Sequence, residues 1–288
     1  MSIPVPDTDT PTPPVPRFVI IGAQKSATRW LRKNLGEHPD VFTPRSEVHF
    51  WNREDRVTKL GLDWYRDQFN GWNGEPIVGE ATPGYMIWRH QPERVAARMK
   101  KFFPDARLIA LLRNPIDRAN SAMMHHIRRG RLPTESRLVD VVRERTPPEK
   151  DRLCLVTGGW YAASLQPFLD AFGDGLLVLW QDDIGADPVG VYDAALRHIG
   201  ASPDFQPAEL SKIVFSNRKG KAGRLYELTH TDRVDMWQYF RDDVARLEQL
   251  LGVDLSRWEP REEDSCPGPV TSIADVRSRW WGRRRAPT

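Results

Sequence analysis

The sequence predicts an α/β fold, with a mostly parallel central sheet flanked by helices in three layers, and three observations predict it. The apolar stretches Phe18 to Ile21, Ala106 to Leu112 and Gly175 to Trp180 run on without polar alternation, so each reads as a strand buried on both faces. Each is followed by a turn and then a helical pattern, and strands that alternate with helices imply right-handed crossovers. The chain has 288 residues, 40% of them hydrophobic, enough for one large domain of this kind.

The first unit organises the rest. Strand Phe18–Ile21 ends at Gly22, and from Ala27 the residues Trp30, Leu31 and Leu35 share one face of a helix expected to run to about Glu37, before Pro39. Strand, glycine turn and helix expose backbone N–H groups at the positive end of a helix dipole, where anions bind. Lys25 adds a charge, and Ser26 and Thr28 add hydroxyls. The stretch reads as a cradle for a phosphate-like group. It is not the nucleoside-triphosphate motif G-x-x-x-x-G-K-[ST], because Lys25 follows Gly22 by three residues with no second glycine before it. An ordinary strand–helix turn with a solvated lysine is the plain alternative.

Next, Glu47 and His49 alternate with Val48 and Phe50, so an extended backbone puts the two polar side chains on one face; a solvated edge is the plain alternative. A short amphipathic helix is expected over Gly61 to Phe69, a strand over Pro76 to Glu80 and a basic helix over Pro92 to Phe103. After Ala106–Leu112 come Arg113, Asn114 as a helix N-cap and Pro115 as first helical residue. Ser121 falls on the second turn. Arg113 and Ser121 can meet on one anion, with the arginine making charge-assisted contacts; a salt bridge and helix packing are the alternatives. His125 and His126 read as surface or packing residues. Gly130 to Lys150 reads as a polar flap or helix over the site, Gly158 to Phe172 as a helix bearing Tyr161, and Asp232 to Leu251 as one long helix. Between them, Ser216 to Arg224 is a loop of cations and glycines that can approach a phosphate closely.

Residues 1–16 read as a disordered leader, 17–260 as a single domain and 261–288 as a basic, Trp/Arg-rich tail that is either loose or touches an anionic surface. The net charge of +3 suits an anionic ligand without requiring nucleic acid. Cys154 and Cys266 form no metal or disulfide pattern. No apolar run approaches the ~18–20 residues of a membrane span, and no export signal is seen. A soluble, cytoplasmic protein is expected; its oligomeric state is not legible.

Several separated motifs, in order, resemble the PAPS-dependent sulfotransferases, in particular the branch of heparan sulfate sulfotransferases and their bacterial relatives. PAPS is adenosine phosphosulfate with an added 3′-phosphate. Gly22 to Trp30 resembles the family's 5′-phosphosulfate loop and Glu47-Val-His-Phe-Trp51 its catalytic-glutamate segment. Gly61-Leu-Asp-Trp-Tyr65 and Gly79-Glu-Ala-Thr-Pro-Gly-Tyr85 match further signposts. Leu111 to Arg118 with Ser121 resembles the 3′-phosphate site, and Arg218 to Arg224 the late phosphate loop. The resemblance implies a P-loop-like fold. It also implies that PAPS is the co-substrate, adenosine 3′,5′-bisphosphate the product, and a metal unnecessary. By the same resemblance Gln24, Lys25, Ser26, Ala27, Thr28 and Arg29 hold the 5′ end. Trp30 stacks on adenine or packs in the core. Arg113 and Ser121, with Arg218, Lys219, Gly220 and Lys221, hold the 3′-phosphate, and Tyr161 lines the nucleotide pocket. Glu47 is the catalytic base, with His49 as orienter or alternative base, and Lys25 steadies the leaving oxygen.

The sequence also departs from the heparan-type pattern. Ala81 stands where those enzymes commonly have lysine, no cysteine pair brackets the late loop, and that loop is longer. The expected reaction is therefore sulfuryl transfer to a hydroxyl, or an amine, of a carbohydrate, glycolipid or small molecule. Partial burial of Glu47 beside Phe50 and Trp51 is expected to sharpen its basicity. Two rivals stand beside this reading: a P-loop-like nucleotide kinase and a non-catalytic module that binds anionic glycans.

Overall fold

The structure is a computed structural model and describes residues 15–145, 148–211 and 228–261. Five strands form one sheet: β1 (Phe18–Gly22), β2 (Val41–Phe42), β3 (Ile77–Ala81), β4 (Arg107–Leu112) and β5 (Leu176–Trp180). Their order is β2-β3-β1-β4-β5, and every pairing is parallel. Parallel neighbours need crossovers, which α1 (Thr28–Leu35), α2 (Gly61–Asp67), α3 (Pro92–Phe102), α4 (Pro115–Arg128), α5 (Leu138–Glu144) and α6 (Tyr161–Phe172) supply; α7 (Gln181–Ala186), α8 (Pro188–Ile199), α9 (His230–Trp237) and α10 (Arg241–Leu251) follow the last strand. The α/β three-layer expectation is met.

The sheet has a core on each face. Val19 and Ile21 point to one, with Leu108, Leu112, Tyr65 and Met123; Phe18 and Ile20 point to the other, with Leu31, Leu35, Tyr192 and Leu196. All five residues of β1 are buried, which is why its run of β-branched and aromatic residues is unbroken. At the carboxyl edge, Asn114 Oδ1 accepts from the Ile116 and Asp117 N–H groups at 3.0 and 3.4 Å, with Pro115 starting α4.

Two expectations need correction. The long helix over Asp232–Leu251 is two helices, α9 and α10. They part at Gln238–Phe240, where the Tyr239 and Phe240 N–H groups bond three residues back and the Phe240 ring is fully buried. The break puts Asp243 at the start of α6, where it accepts from the Ala162 and Ala163 N–H groups at 3.0 and 3.2 Å. Of the flap or helix expected over Gly130–Lys150, the structure has the helix, α5, but as part of the core: its Leu138, Val139, Val141 and Val142 are buried. Ion pairs Arg137–Asp232 and Arg143–Asp235 join it to α9. Apolar spacing within that stretch outweighs its polar composition. No helix among the described residues is long and apolar enough to cross a membrane.

Candidate active site

The loop between β1 and α1 lies at the carboxyl edge of the sheet, where parallel α/β sheets bind ligands. Its backbone is fixed from below: the Ala23 N–H donates to the Leu111 carbonyl at 2.8 Å and the Ser26 N–H to Ala23 at 3.2 Å. Lys25 and Ala27 have φ of 72° and 71°, left-handed conformations that non-glycine residues adopt at a cost. Turns of this kind curl successive N–H groups into an anion-binding concavity. α1 then starts with no side-chain cap and no acid in its first turn, so its first N–H groups are left for another partner. The Ser26 hydroxyl is buried near the Tyr161 phenol.

Cations converge here. The Lys25 ammonium has no salt bridge among the described residues, and burial, then the charges of Arg128, Arg113 and Arg118, bring it from its usual 10.5 to about 8. An Nη1 of Arg113 lies 3.5 Å from the Lys25 carbonyl oxygen, so the two expected anion contacts open on one mouth. Ser121 is buried on α4. His125 and Arg128 follow it at helical spacing on the same face. Burial, then the Lys25 charge, holds His125 down to about 4. Arg118 is fully buried, donating to the Cys154 carbonyl at 2.7 Å and to that of Leu155. The sequence placed Arg118 in the 3′-phosphate segment and read His125 as a surface or packing residue; it gave Arg128 no role. The i, i+4, i+7 spacing of Ser121, His125 and Arg128 was the available signal; the burial of Arg118 had none.

Glu47 and His49 are brought together: Glu47 Oε2 lies 2.9 Å from His49 Nε2. The Glu47 charge is felt at both Lys25 and Arg32. The segment is not a strand, however; His49 has φ 51°, and Glu47 is 49% exposed rather than partly buried. Its backbone hangs from a buried cluster. The Val48 and His49 N–H groups donate to Thr82 Oγ1 at 3.1 and 3.2 Å, and that of Phe50 to the Tyr85 hydroxyl at 3.2 Å. Thr82 and Tyr85, joined by Tyr65, donate in turn to the Glu80 carboxylate at 2.7, 2.8 and 2.9 Å. Burial pushes the Glu80 carboxyl up, against the pull of those three hydroxyls. Asn52 Nδ2 lies 3.4 Å from His49 Nδ1 and 3.3 Å from the Gly84 carbonyl oxygen. A Cβ on Gly84 would come within 2.9 Å of that amide and 3.1 Å of the His49 ring, so glycine is what lets the chain pass.

Other expected site residues fall as follows. Gln24 is half-buried, Thr28 buried and Arg29 exposed at the same loop. Trp30 is only 1% exposed, in the core with Leu31 and Leu35, and its indole N–H donates to the Leu210 carbonyl at 3.1 Å. Of the two readings of Trp30, this is the packing one. Tyr161 is fully buried as well. It does not line an open pocket; its hydroxyl donates to the Arg113 carbonyl at 2.9 Å and so supports the strand end that carries Arg113. Arg218, Lys219, Gly220, Lys221 and Arg224 lie outside the described residues, as do residues 1–14 of the leader and 262–288 of the tail.

Fold and loop together define a three-layer α/β protein with a cationic anion cradle at the carboxyl edge of its sheet. The chain belongs to the sulfotransferase domain family, whose model matches residues 15–246. It is similar to a sulfotransferase crystal structure from Alicyclobacillus acidocaldarius, with 31% identity and a TM-score of 0.71 over 85% of this chain and 99% of that one. It is 28% identical to human bifunctional heparan sulfate N-deacetylase/N-sulfotransferase 3 over 86% of this chain and 31% of the relative. It is 34% identical to mouse heparan sulfate glucosamine 3-O-sulfotransferase 3B1 over 61% of this chain and 44% of the relative. The chain thus spans about a third to under a half of the length of these two relatives.

Proposed function

We propose that this chain transfers the sulfuryl group of PAPS to a hydroxyl of a carbohydrate, glycolipid or small-molecule acceptor, with Glu47 as general base. One observation carries the reading: a cradle loop whose lysine is crowded by arginines, in the same domain as a Glu47–His49 pair held at 2.9 Å. The residues present suit the nucleotide. Lys25, Arg113 and the uncapped start of α1 all call for anionic oxygens, and PAPS brings them at both ends.

In this reading Lys25 and the loop N–H groups face the bridging oxygen that leaves with the 5′-phosphate. They stabilise charge that grows there during transfer, an effect worth about 10²–10³ in rate per donor in comparable sites. Arg113 and Ser121 hold the 3′-phosphate. Glu47 takes the acceptor's hydroxyl proton as that oxygen bonds to sulfur and the S–O bond to the phosphate breaks. His49, with Nδ1 toward the Asn52 amide, keeps its proton on Nε2 and donates it to Glu47, which makes it an orienter of the base. The two relatives are heparan sulfate sulfotransferases, but Ala81 and the altered late loop leave the acceptor class broad.

The test is incubation with labelled PAPS and a panel of hydroxylated and amino acceptors, together with the Glu47→Gln variant. Label should pass to at least one acceptor. Glu47→Gln should keep its affinity for adenosine 3′,5′-bisphosphate while turnover falls about 10²–10⁴-fold. Near-normal turnover in that variant moves the base elsewhere. Calorimetry that finds ATP or a sulfated glycan bound in preference to PAPS replaces the proposal with one of its rivals.

A further inference from the structure

We propose that Glu80, acting through Thr82 and Tyr85, is the positioning residue that sets the Glu47–His49 pair for proton transfer; this rests on the reading of Glu47 as the base. The argument is one of hydrogen-bond polarity. Glu80 is fully buried on β3; burial favours its neutral form, the three O–H groups pointed at it favour the ionised one, and in the ionised form its carboxylate only accepts. It takes O–H bonds from Thr82 at 2.7 Å, Tyr85 at 2.8 Å and Tyr65 at 2.9 Å. A hydroxyl has one proton to give. With that proton committed to Glu80, the oxygens of Thr82 and Tyr85 must turn their lone pairs outward, and three consecutive backbone N–H groups, of Val48, His49 and Phe50, dock on them.

The carboxylate thereby converts two freely rotating hydroxyls into fixed acceptors. Those acceptors hold a stretch of chain that belongs to no helix or strand and has His49 at φ 51°. A left-handed residue outside regular structure persists only where its surroundings impose it, and here the imposed turn is what accompanies the 2.9 Å approach of His49 to Glu47. Glu80 also pairs with Val19 of β1 in the sheet register. The strand that emits the Lys25 loop and the strand that anchors the base are therefore direct neighbours.

The test uses the full chain, with Thr82→Val to remove the acceptor at similar volume, Thr82→Ser to restore it, and Glu80→Gln to disturb the polarity. Readouts are release of adenosine 3′,5′-bisphosphate from PAPS with the acceptor panel, affinity for that product by calorimetry, and amide hydrogen exchange. Thr82→Val should expose the Val48 and His49 amides to exchange at least about tenfold faster. Turnover should fall about 10²-fold, the cost of a misplaced reacting group, while KM for PAPS and product affinity stay within about twofold. Thr82→Ser should restore exchange and turnover together, and Glu80→Gln should follow Thr82→Val. A fall in product affinity in step with turnover, no rescue by serine, or unchanged turnover despite faster exchange each overturns the proposal. If Glu47→Gln is itself fully active, the base assignment has failed; slow exchange at 48–50 in the wild type and fast exchange in Thr82→Val then still separate the clamp from that assignment.

Discussion

Lys25 gives a prediction whose sign and size follow from the structure. Burial and three arginine charges bring it to about 8 in the free protein, so it is about 90% charged at pH 7 and about 10% charged at pH 9. An anion in the cradle favours the charged form. If the bound nucleotide restores Lys25 to its ordinary value near ~10.4, affinity for adenosine 3′,5′-bisphosphate must weaken about tenfold from pH 7 to pH 9, or about 1.4 kcal/mol. At pH 8 about half a proton is taken up per nucleotide bound. Titration calorimetry in two buffers of different ionisation heat measures both. Lys25→Arg, charged throughout, should bind with no such slope. Stability of the empty protein runs the other way. The folded value lies below the unfolded one, so between about 8 and 10.4 the unfolded chain holds more protons. Stability contributed by this residue therefore rises with pH across that window, and wild type should gain on Lys25→Met as pH increases. Flat affinity with no proton uptake, or the same slope in Lys25→Arg, refutes the reasoning.

Other predictions follow from neighbouring residues. Arg113→Ala should weaken adenosine 3′,5′-bisphosphate about tenfold or more, the worth of a charge-assisted contact, and leave adenosine 5′-phosphate nearly unchanged; equal loss for both, by calorimetry, removes Arg113 from the 3′ site. Trp30→Leu should cost about 3 kcal/mol of stability through the cavity and the lost bond to Leu210, with nucleotide affinity within about twofold in the folded variant; a stable protein with lost affinity returns Trp30 to the adenine. Asp151 accepts from the N–H groups of Leu155, Val156 and Thr157 and from the Thr157 hydroxyl, all at 2.8–2.9 Å. Asp151→Asn should therefore cost about 2–3 kcal/mol and lower Tm by several degrees, and an unchanged Tm would contradict that account.

The strands were legible because a parallel sheet covered on both faces demands unbroken apolar runs. Asn114-Pro115 marked a helix start because each residue fits one terminal position and no other. The cradle was legible from Gly22, Lys25 and Ser26, since anion-binding turns use short-range chemistry. What the sequence withheld was long-range. Glu80 stands in a family signpost with Thr82 and Tyr85, but only folding brings Tyr65 to it and turns all three hydroxyls onto its carboxylate. The resemblance placed Tyr161 at the nucleotide and left Trp30 either on adenine or in the core; the structure buries both, because the partners that enclose them come from distant parts of the chain. The break at Gln238–Phe240 was invisible because helical periodicity runs straight through it, and it is the pocket for the Phe240 ring that decides.

The adjacency of β1 and β3 has a consequence for how such a protein can change. Neighbouring strands are locked about 4.8 Å apart by backbone bonds, so the grip on the donor and the seat of the base share one rigid bench with no hinge between them. Trp88, Arg89, Gln91 and Glu93 border a cavity of about 390 Å³, and their neighbour His90 is tied into the same frame, its Nδ1 lying 2.7 Å from the Gly84 carbonyl oxygen and 3.1 Å from the Asn52 amide. A substitution in that region therefore reaches the His49 side of the site through two short contacts.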